Sequence, residues 1–340
     1  MKFIFPAFFV ALLLTIVGSA FSPASAAKVP SEPIVLKAVT NNPKISGMYQ
    51  GIVLFKKLVE ERSGGRIKVE ILVDAVLGDE EQLAVGMQQG IVDFTVHSSA
   101  KYANFVPEMD IYSAPYTFKN WGHMKAVISS EVNDKLVKTV MERRGDHFVG
   151  VYTEGLRNIF TRKEIRRLDE LRGLRIRTMT GPSELNAWRA LGANPTPTAY
   201  PALFSALESG QVDGAENTMT SILGMRFFES SKYVLRTAHN YMAMPAILSG
   251  KFIKKLPPEL GDIVIQAAKD SAKLQLDWAI GYDRRNEKIL KDLHGVKVTE
   301  FNKADQARAQ EICRKLQIEN ARRIHMEKEQ QLIATLAERY

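Results

Sequence analysis

The stretch Gly173–Asn217, GLRIRTM followed by GPSELNAWRALGANP and PTAYPALFSALESGQVDGAEN, limits the chain's choices more than any other. It reads as a strand ending on Arg177, a turn at Thr180-Gly181-Pro182, a helix through Trp188 and Leu191, a short strand, a helix begun by Pro201, and a third strand closing at Asn217. A β-α-β-α-β run of this kind forces a parallel sheet, and such sheets gather ligands outside the carboxyl ends of their strands. Arg177 and Asn217 stand at two of those ends, so a cationic fork and a neutral amide are expected to face one crevice.

The same order occurs earlier. Ile34 to Thr40 reads as a strand, Gly47 to Arg62 as a helix with Ile52, Phe55, Leu58 and Val59 on one face, Ile67 to Val73 as a strand, Glu80 to Gln89 as a helix stopped by Gly90, and Ile91 to Val96 as a strand. MQQGIVDFTV and LESGQVDGAE echo one another at the end of each run. Two similar α/β lobes are therefore expected, with a boundary near Gly150 to Glu154. Tyr241 to Ser249 reads as a strand that returns to the first lobe. Pro257-Pro258 then start a helix running to about Leu293, roughly 50 Å long, which must span both lobes or kink. Residues 302–340 read as a last charged helix, packed on the second lobe or serving a coiled-coil dimer. The division is thus 27–153 with 241–280 for lobe one, and 154–240 with 281–340 for lobe two.

Residues 1–26 differ in kind. Lys2, the apolar run Phe8 to Val17 and Ala24-Ser25-Ala26 form the pattern of a secretory signal peptide. Removing them takes away one base and no acid, so the formal charge of +8 falls by one. Lys and Arg are interleaved with Glu along the helices, which argues for a solvated surface with mild attraction for anions and against a nucleic-acid footprint. The single cysteine, Cys313, excludes an intrachain disulfide and a cysteine metal site. No cofactor motif is present: GxSxG, HExxH, P-loop and strand-following GxGxxG patterns are all absent. An exported hydrolase built on a pair of scattered carboxylates is the rival class, with nothing to single out the pair.

The central segment resembles that of the extracytoplasmic solute receptors of TRAP transporters, the tripartite ATP-independent periplasmic transporters. The likeness continues in LGDEEQLAVGMQQGIVDFTVHSSA, EGLRNIFTRK and KLPPELGDIVIQAAKDSA, and covers nearly all of the chain after residue 30. It implies a type II periplasmic-binding-protein fold with a helix spanning two α/β lobes. It also implies a monomeric periplasmic receptor that captures a small organic acid and delivers it to a membrane permease.

Arg177 matches the main carboxylate contact of those receptors, and Arg157 matches a second cleft arginine. Guanidinium suits the role because its planar fork binds a carboxylate at two points and stays charged at any relevant pH. From the residues alone, either arginine could instead be a strand-end residue paired with an acid. Asn217 could meet a second carboxylate oxygen or only its own backbone. Tyr200, where the family more often has Phe, is expected as an aromatic wall or as core. The first lobe offers Asn41 and Asn42 after the first strand, Asp79 in the LGDEE loop, and His97 and Ser98 after the third strand. Arg175 is expected at the surface, and Glu216 is expected to be structural.

Overall fold

Alternation in IVLKAV buries Leu36, Ala38 and Val39 while leaving Val35 half exposed, so this segment can form only a strand with one face against a core. The computed structural model describes residues 32–340; the expected signal peptide lies outside the described residues. The strands are β1 (Ile34–Val39), β2 (Ile67–Leu72), β3 (Phe94–Val96), β4 (His147–Tyr152), β5 (Leu156–Thr161), β6 (Arg175–Thr178), β7 (Asn194–Pro197), β8 (Gly214–Asn217), β9 (Tyr233–Tyr241), β10 (Met244–Leu248) and β11 (Lys297–Glu300). The helices are α1 (Gly47–Arg62), α2 (Glu80–Gln89), α3 (Ser99–Tyr102), α4 (Trp121–Ile128), α5 (Glu131–Arg144), α6 (Pro182–Ala190), α7 (Leu203–Glu208), α8 (Met219–Gly224), α9 (Gly250–Ile253), α10 (Pro258–His294), α11 (Lys303–Arg323) and α12 (Glu327–Ala337).

They organise two sheets. The first has the order β2-β1-β3-β10-β4, with β1 parallel to β2 and β3 and with β10 antiparallel to its neighbours. The second has the order β11-β9-β5-β8-β6-β7, with β6 parallel to β7 and β8. Both β-α-β-α-β runs therefore form as their sequences demand. Pro195 and Pro197 sit in β7, at the edge of the sheet, where a missing N–H leaves no ladder bond unmade.

Each sheet is covered on both faces. Phe55 of α1 stacks on Phe94 of β3 within a core completed by Val264, Ala267 and Ala268 of α10. On the other face Val39 and Phe148 pack with α2, α4 and α5. The second sheet has Phe160 and Phe227 on one side and Ile159, Ile176 and Trp188 on the other.

Helix α10 is one unbroken element of 37 residues, about 55 Å at 1.5 Å per residue. Its early turns belong to the core of the first sheet, and Leu290 near its end belongs to that of the second. It spans both, as its expected length required. Strand β9 stays in the second sheet and hands the chain to β10, the strand read at Tyr241 to Ser249, which carries it back to the first. One expectation needs correction. Residues 302–340 form two helices, broken where His325 takes a left-handed φ of 56°. Helix α11 lies on the second half through Ala309 and Cys313, whereas Ile324, Met326 and Ile333 insert into the core of the first. The apolar side of α12 finds α4 and α5, so this helix leaves the lobe to which the sequence reading assigned it.

Candidate functional site

Between the two sheets lies a narrow, partly open cavity lined by Asn42, Met48, Glu80, Lys101, Glu154, Arg157, Arg177, Met179, Tyr200, Asn217, Ser221 and Met242, with about 320 Å³ of space between and just outside them. Only about 20 Å³ of it admits the centre of a water-sized sphere, so the walls must part or shift to take in a ligand.

Arg177 is the penultimate residue of β6 and is 1% exposed. Its Nε and Nη2 donate to the carbonyl of Thr198 at 2.9 and 2.7 Å. No Asp or Glu among the described residues pairs with it, and burial lowers its pKa, with Glu216 opposing that fall. The guanidinium is thus held in plane by one carbonyl and keeps its charge without a counterion in contact.

Arg157, at the start of β5, is also cavity-lining and buried, but its fork is occupied. Nε and Nη2 meet both carboxylate oxygens of Glu216 at 2.5 and 2.6 Å, Nη2 also reaches the Glu216 carbonyl at 2.8 Å, and Nη1 reaches Oδ1 of Asn217 at 3.0 Å. Glu216 is reached in turn by Nε2 of His239 at 3.2 Å. Burial opposes ionisation of Glu216, yet Arg157 and His239 hold its carboxyl down at about 2. His239 is kept neutral by burial, so Nε2–H donates to Glu216 and Nδ1 accepts from Thr237 Oγ1 at 2.8 Å. Glu216 thus acts structurally, as expected, and it does so by clamping Arg157.

Antiparallel pairing of β5 with β8 sets Asn158 opposite Asn217 and brings Asn217 to the cavity wall. Tyr200 lies there too, its ring edge-on to Phe227 at 5.9 Å. Arg175 is at the surface, paired with Asp213.

From the first half only Asn42 of the expected residues borders the cavity. Asn41, Asp79, His97 and Ser98 do not. Asn42 Nδ2 donates to Asn41 Oδ1 at 2.7 Å, Asn41 Nδ2 donates to Asp79 Oδ1 at 2.5 Å, and Asp79 pairs with Lys101. Asn41 and Asp79 therefore stand behind the wall and position Asn42 and Lys101 within it. Ser98 donates N–H and O–H to one oxygen of Glu80, at 2.6 and 2.7 Å, and so fixes another wall residue. His97 turns into the core against Tyr102, 4.8 Å between rings, and burial together with Arg144 and Lys101 depresses its pKa to about 3. A neutral imidazole there makes no anion contact.

Sequence reasoning missed Glu80, Lys101, Glu154, Met48, Met179, Ser221 and Met242. Glu80 and Lys101 flank the residues singled out, at α2's first turn and in α3, and Glu154 immediately precedes the GLRNIF motif. Among the described residues no group of three or more His, Cys, Asp or Glu is arranged to hold a metal ion, and no helix is long and apolar enough to cross a membrane.

Across the mouth, Thr180 Oγ1 donates to Glu81 Oε1 at 3.1 Å and accepts from Asn104 Nδ2 at 2.9 Å, and Ser183 donates to Asp110. At the back, Gln275 of α10 binds the N–H and C=O of Thr153, and Asp283 accepts from Leu156 N and from Thr220. The chain crosses between sheets under that helix.

The two-sheet α/β frame is that of TRAP periplasmic solute-binding proteins. The sugar acid binding protein DctPAm of Advenella mimigardefordensis, solved with galactonate, matches with a TM-score of 0.85 at 27% identity, over 91% of this chain and 99% of that one. A TRAP periplasmic solute-binding protein of Polaromonas, bound to D-erythronate, matches with a TM-score of 0.82 at 27% identity, over 89% and 98%. The chain belongs to the bacterial extracellular solute-binding proteins of family 7, which it matches over residues 38–322. A solute-binding protein of Verminephrobacter eiseniae is 31% identical over 263 residues, 76% of this chain and 77% of that protein.

Proposed function

We propose that this chain is the periplasmic receptor of a TRAP transporter for a sugar acid or a related small hydroxylated monocarboxylate. It is exported by its first 26 residues, works as a monomer and passes its ligand unaltered to membrane permease subunits. The supporting observation is Arg177: a buried guanidinium bordering a narrow cavity, oriented by a carbonyl and without an ion-pair partner among the described residues. A carboxylate supplies the missing charge and accepts its free N–H groups. Arg157, bound to Glu216, adds positive potential and holds Asn217, while Tyr200 excludes water from the anion. Asn42 and Lys101 approach from the other side, with Asn41 and Asp79 supporting them from behind, while Ser98 holds Glu80 and His97 packs in the core. The two lobes are built on the two sheets. Ligand contacts from both favour closure by differential affinity, and the permease reads the closed surface. Sugar acids are the suggested class because the related structures from Advenella mimigardefordensis and Polaromonas hold galactonate and D-erythronate.

Isothermal titration against aldonates, uronates, dicarboxylates, keto acids and sulfonates tests the reading. Micromolar or tighter binding of at least one acid is expected. Arg177→Ala should weaken it by at least about 100-fold, the roughly 3 kcal/mol expected for removing one partner of a buried charge pair. Silence across the panel, full affinity without Arg177, or turnover of a bound acid would each overturn it.

A further inference from the structure

Of the Lys, Arg and Glu side chains on the cavity wall, all but two have an ion-pair or side-chain hydrogen-bond partner among the described residues. Lys101 pairs with Asp79 and with Glu81 at 3.3 Å, Arg157 pairs with Glu216, and Glu80 accepts twice from Ser98. Arg177 is one exception. Glu154 is the other. It lies in the crossover between β4 and β5, is 2% exposed and borders the cavity. Its Oε1 accepts the Met48 N–H at 2.7 Å, in the first turn of α1, which fixes the carboxyl group; its Oε2 has no hydrogen-bond partner among the described residues. A buried carboxyl oxygen without a partner leaves its desolvation uncompensated, and an orphan of this kind on a cavity wall calls for a bound group.

We propose that Glu154 is a specificity-determining residue whose Oε2 bonds a hydroxyl of the ligand anchored on Arg177. This deepens the sugar-acid reading and rests on it. A hydroxyl suits Oε2 in either protonation state, donating to a carboxylate or accepting from a carboxylic acid. A methylene can do neither, and would seal the orphaned oxygen away from water with no partner. Sites built to bond a substrate hydroxyl reject the analogue lacking it far more strongly than apolar pockets reject a change of size. The count of unpaired cations on the wall, one, also leaves no partner for a second carboxylate, which would face Glu154 and Glu80. The selected ligand is therefore a monocarboxylate with hydroxyls along its chain.

Titration calorimetry with wild type, Glu154→Gln, Glu154→Ala and Arg177→Ala should use galactonate, gluconate and erythronate, together with hexanoate and galactarate. Circular dichroism and thermal melts check that each variant is folded. The best aldonate should bind wild type at least 100-fold more tightly than hexanoate or galactarate. Glu154→Ala should cost the aldonate 10- to 100-fold while moving hexanoate less than twofold, and Glu154→Gln, which keeps an acceptor and a donor in place, should recover much of that loss. Equal weakening of aldonate and hexanoate by both Glu154 variants would mean a merely structural role and overturn the inference, as would unchanged aldonate affinity in Glu154→Ala. Arg177-dependent binding that ignores Glu154 would sink this assignment and leave the receptor reading intact; absence of binding by every acid would sink both.

Discussion

Arg157 and Arg177 have the same chemistry, sit near the same cavity and are equally buried, yet their surroundings give them different work. Glu216 neutralises Arg157, so that arginine contributes position and potential; Arg177 meets only a carbonyl and keeps its full demand for an anion. Sequence reading found both through the likeness to the solute receptors and ranked Arg177 first. It could not see how Arg157 is held, because Glu216 lies 59 residues from it and meets it only through the pairing of β5 with β8. For the same reason Glu154 was invisible as a site residue: its value comes from an oxygen that nothing touches.

The buried acids give a pH prediction. Burial pushes the carboxyls of Glu154 and Glu184 up to about 8, with Asp283 adding to the rise at Glu154 and Glu216 to that at Glu184. Between their ordinary values near 4.5 and the raised ones, the folded protein binds more protons than the unfolded chain. Its stability must therefore fall as pH rises through that window, by up to about 1.4 kcal/mol per unit for each group. Glu216 has the opposite sign: held at about 2, it adds stability as pH rises from 2 to about 4.5 and loses it on acidification. Thermal melts of the ligand-free protein should show a lower Tm at pH 8 than at pH 5, and Glu184→Gln should flatten that slope. An unchanged slope in Glu184→Gln would mean that this carboxyl is ionised across the range.

At the scale of elements, α1 and α2 run over the residues that their apolar spacing and glycine stops indicated, and β1 to β3 pair in the parallel order demanded by the β-α-β-α-β run. Periodicity and capping are local signals, so those elements were legible. The break between α11 and α12 was not, since neither Gly nor Pro marks it; the left-handed residue is His325, tolerated because burying Met326 and Ile333 in the first core repays the turn. Gly181, the N-cap of α6, shows a different kind of hidden information. Its φ of −62° suits any residue, but a Cβ would lie 2.7 Å from the Ala100 Cβ and 3.0 Å from the Ala100 carbonyl oxygen. The glycine is there for space, where the end of β6 meets α3 across the mouth. Gly181→Ala should force the two sides apart at Ala100 and weaken ligand binding by about tenfold, one factor of ten being about 1.4 kcal/mol. Wild-type affinity in that variant would show that the two sides need not approach so closely.

For the molecule as a whole, the chain passes repeatedly between the two sheets: under α10 at Thr153–Leu156, back at Met242, along α10 itself, and finally through α11 into α12. The final crossing is the one with least support in sequence, and it has a direct test. If α12 is part of the first core, Ile333→Ala should cost about 2–4 kcal/mol, as for other truncations of buried aliphatic side chains, read as a shift in urea midpoint; a change below about 0.5 kcal/mol would mean that the helix is only a solvated tail.

Gln275 and Asp283 are eight positions apart on one straight element, a separation of about 12 Å, and between them they grip Thr153, Leu156 and Thr220. Those few bonds tie the Thr153–Leu156 crossover, on which Glu154 stands, to α10 and α8, so two side chains outside the cavity set the place of a residue on its wall.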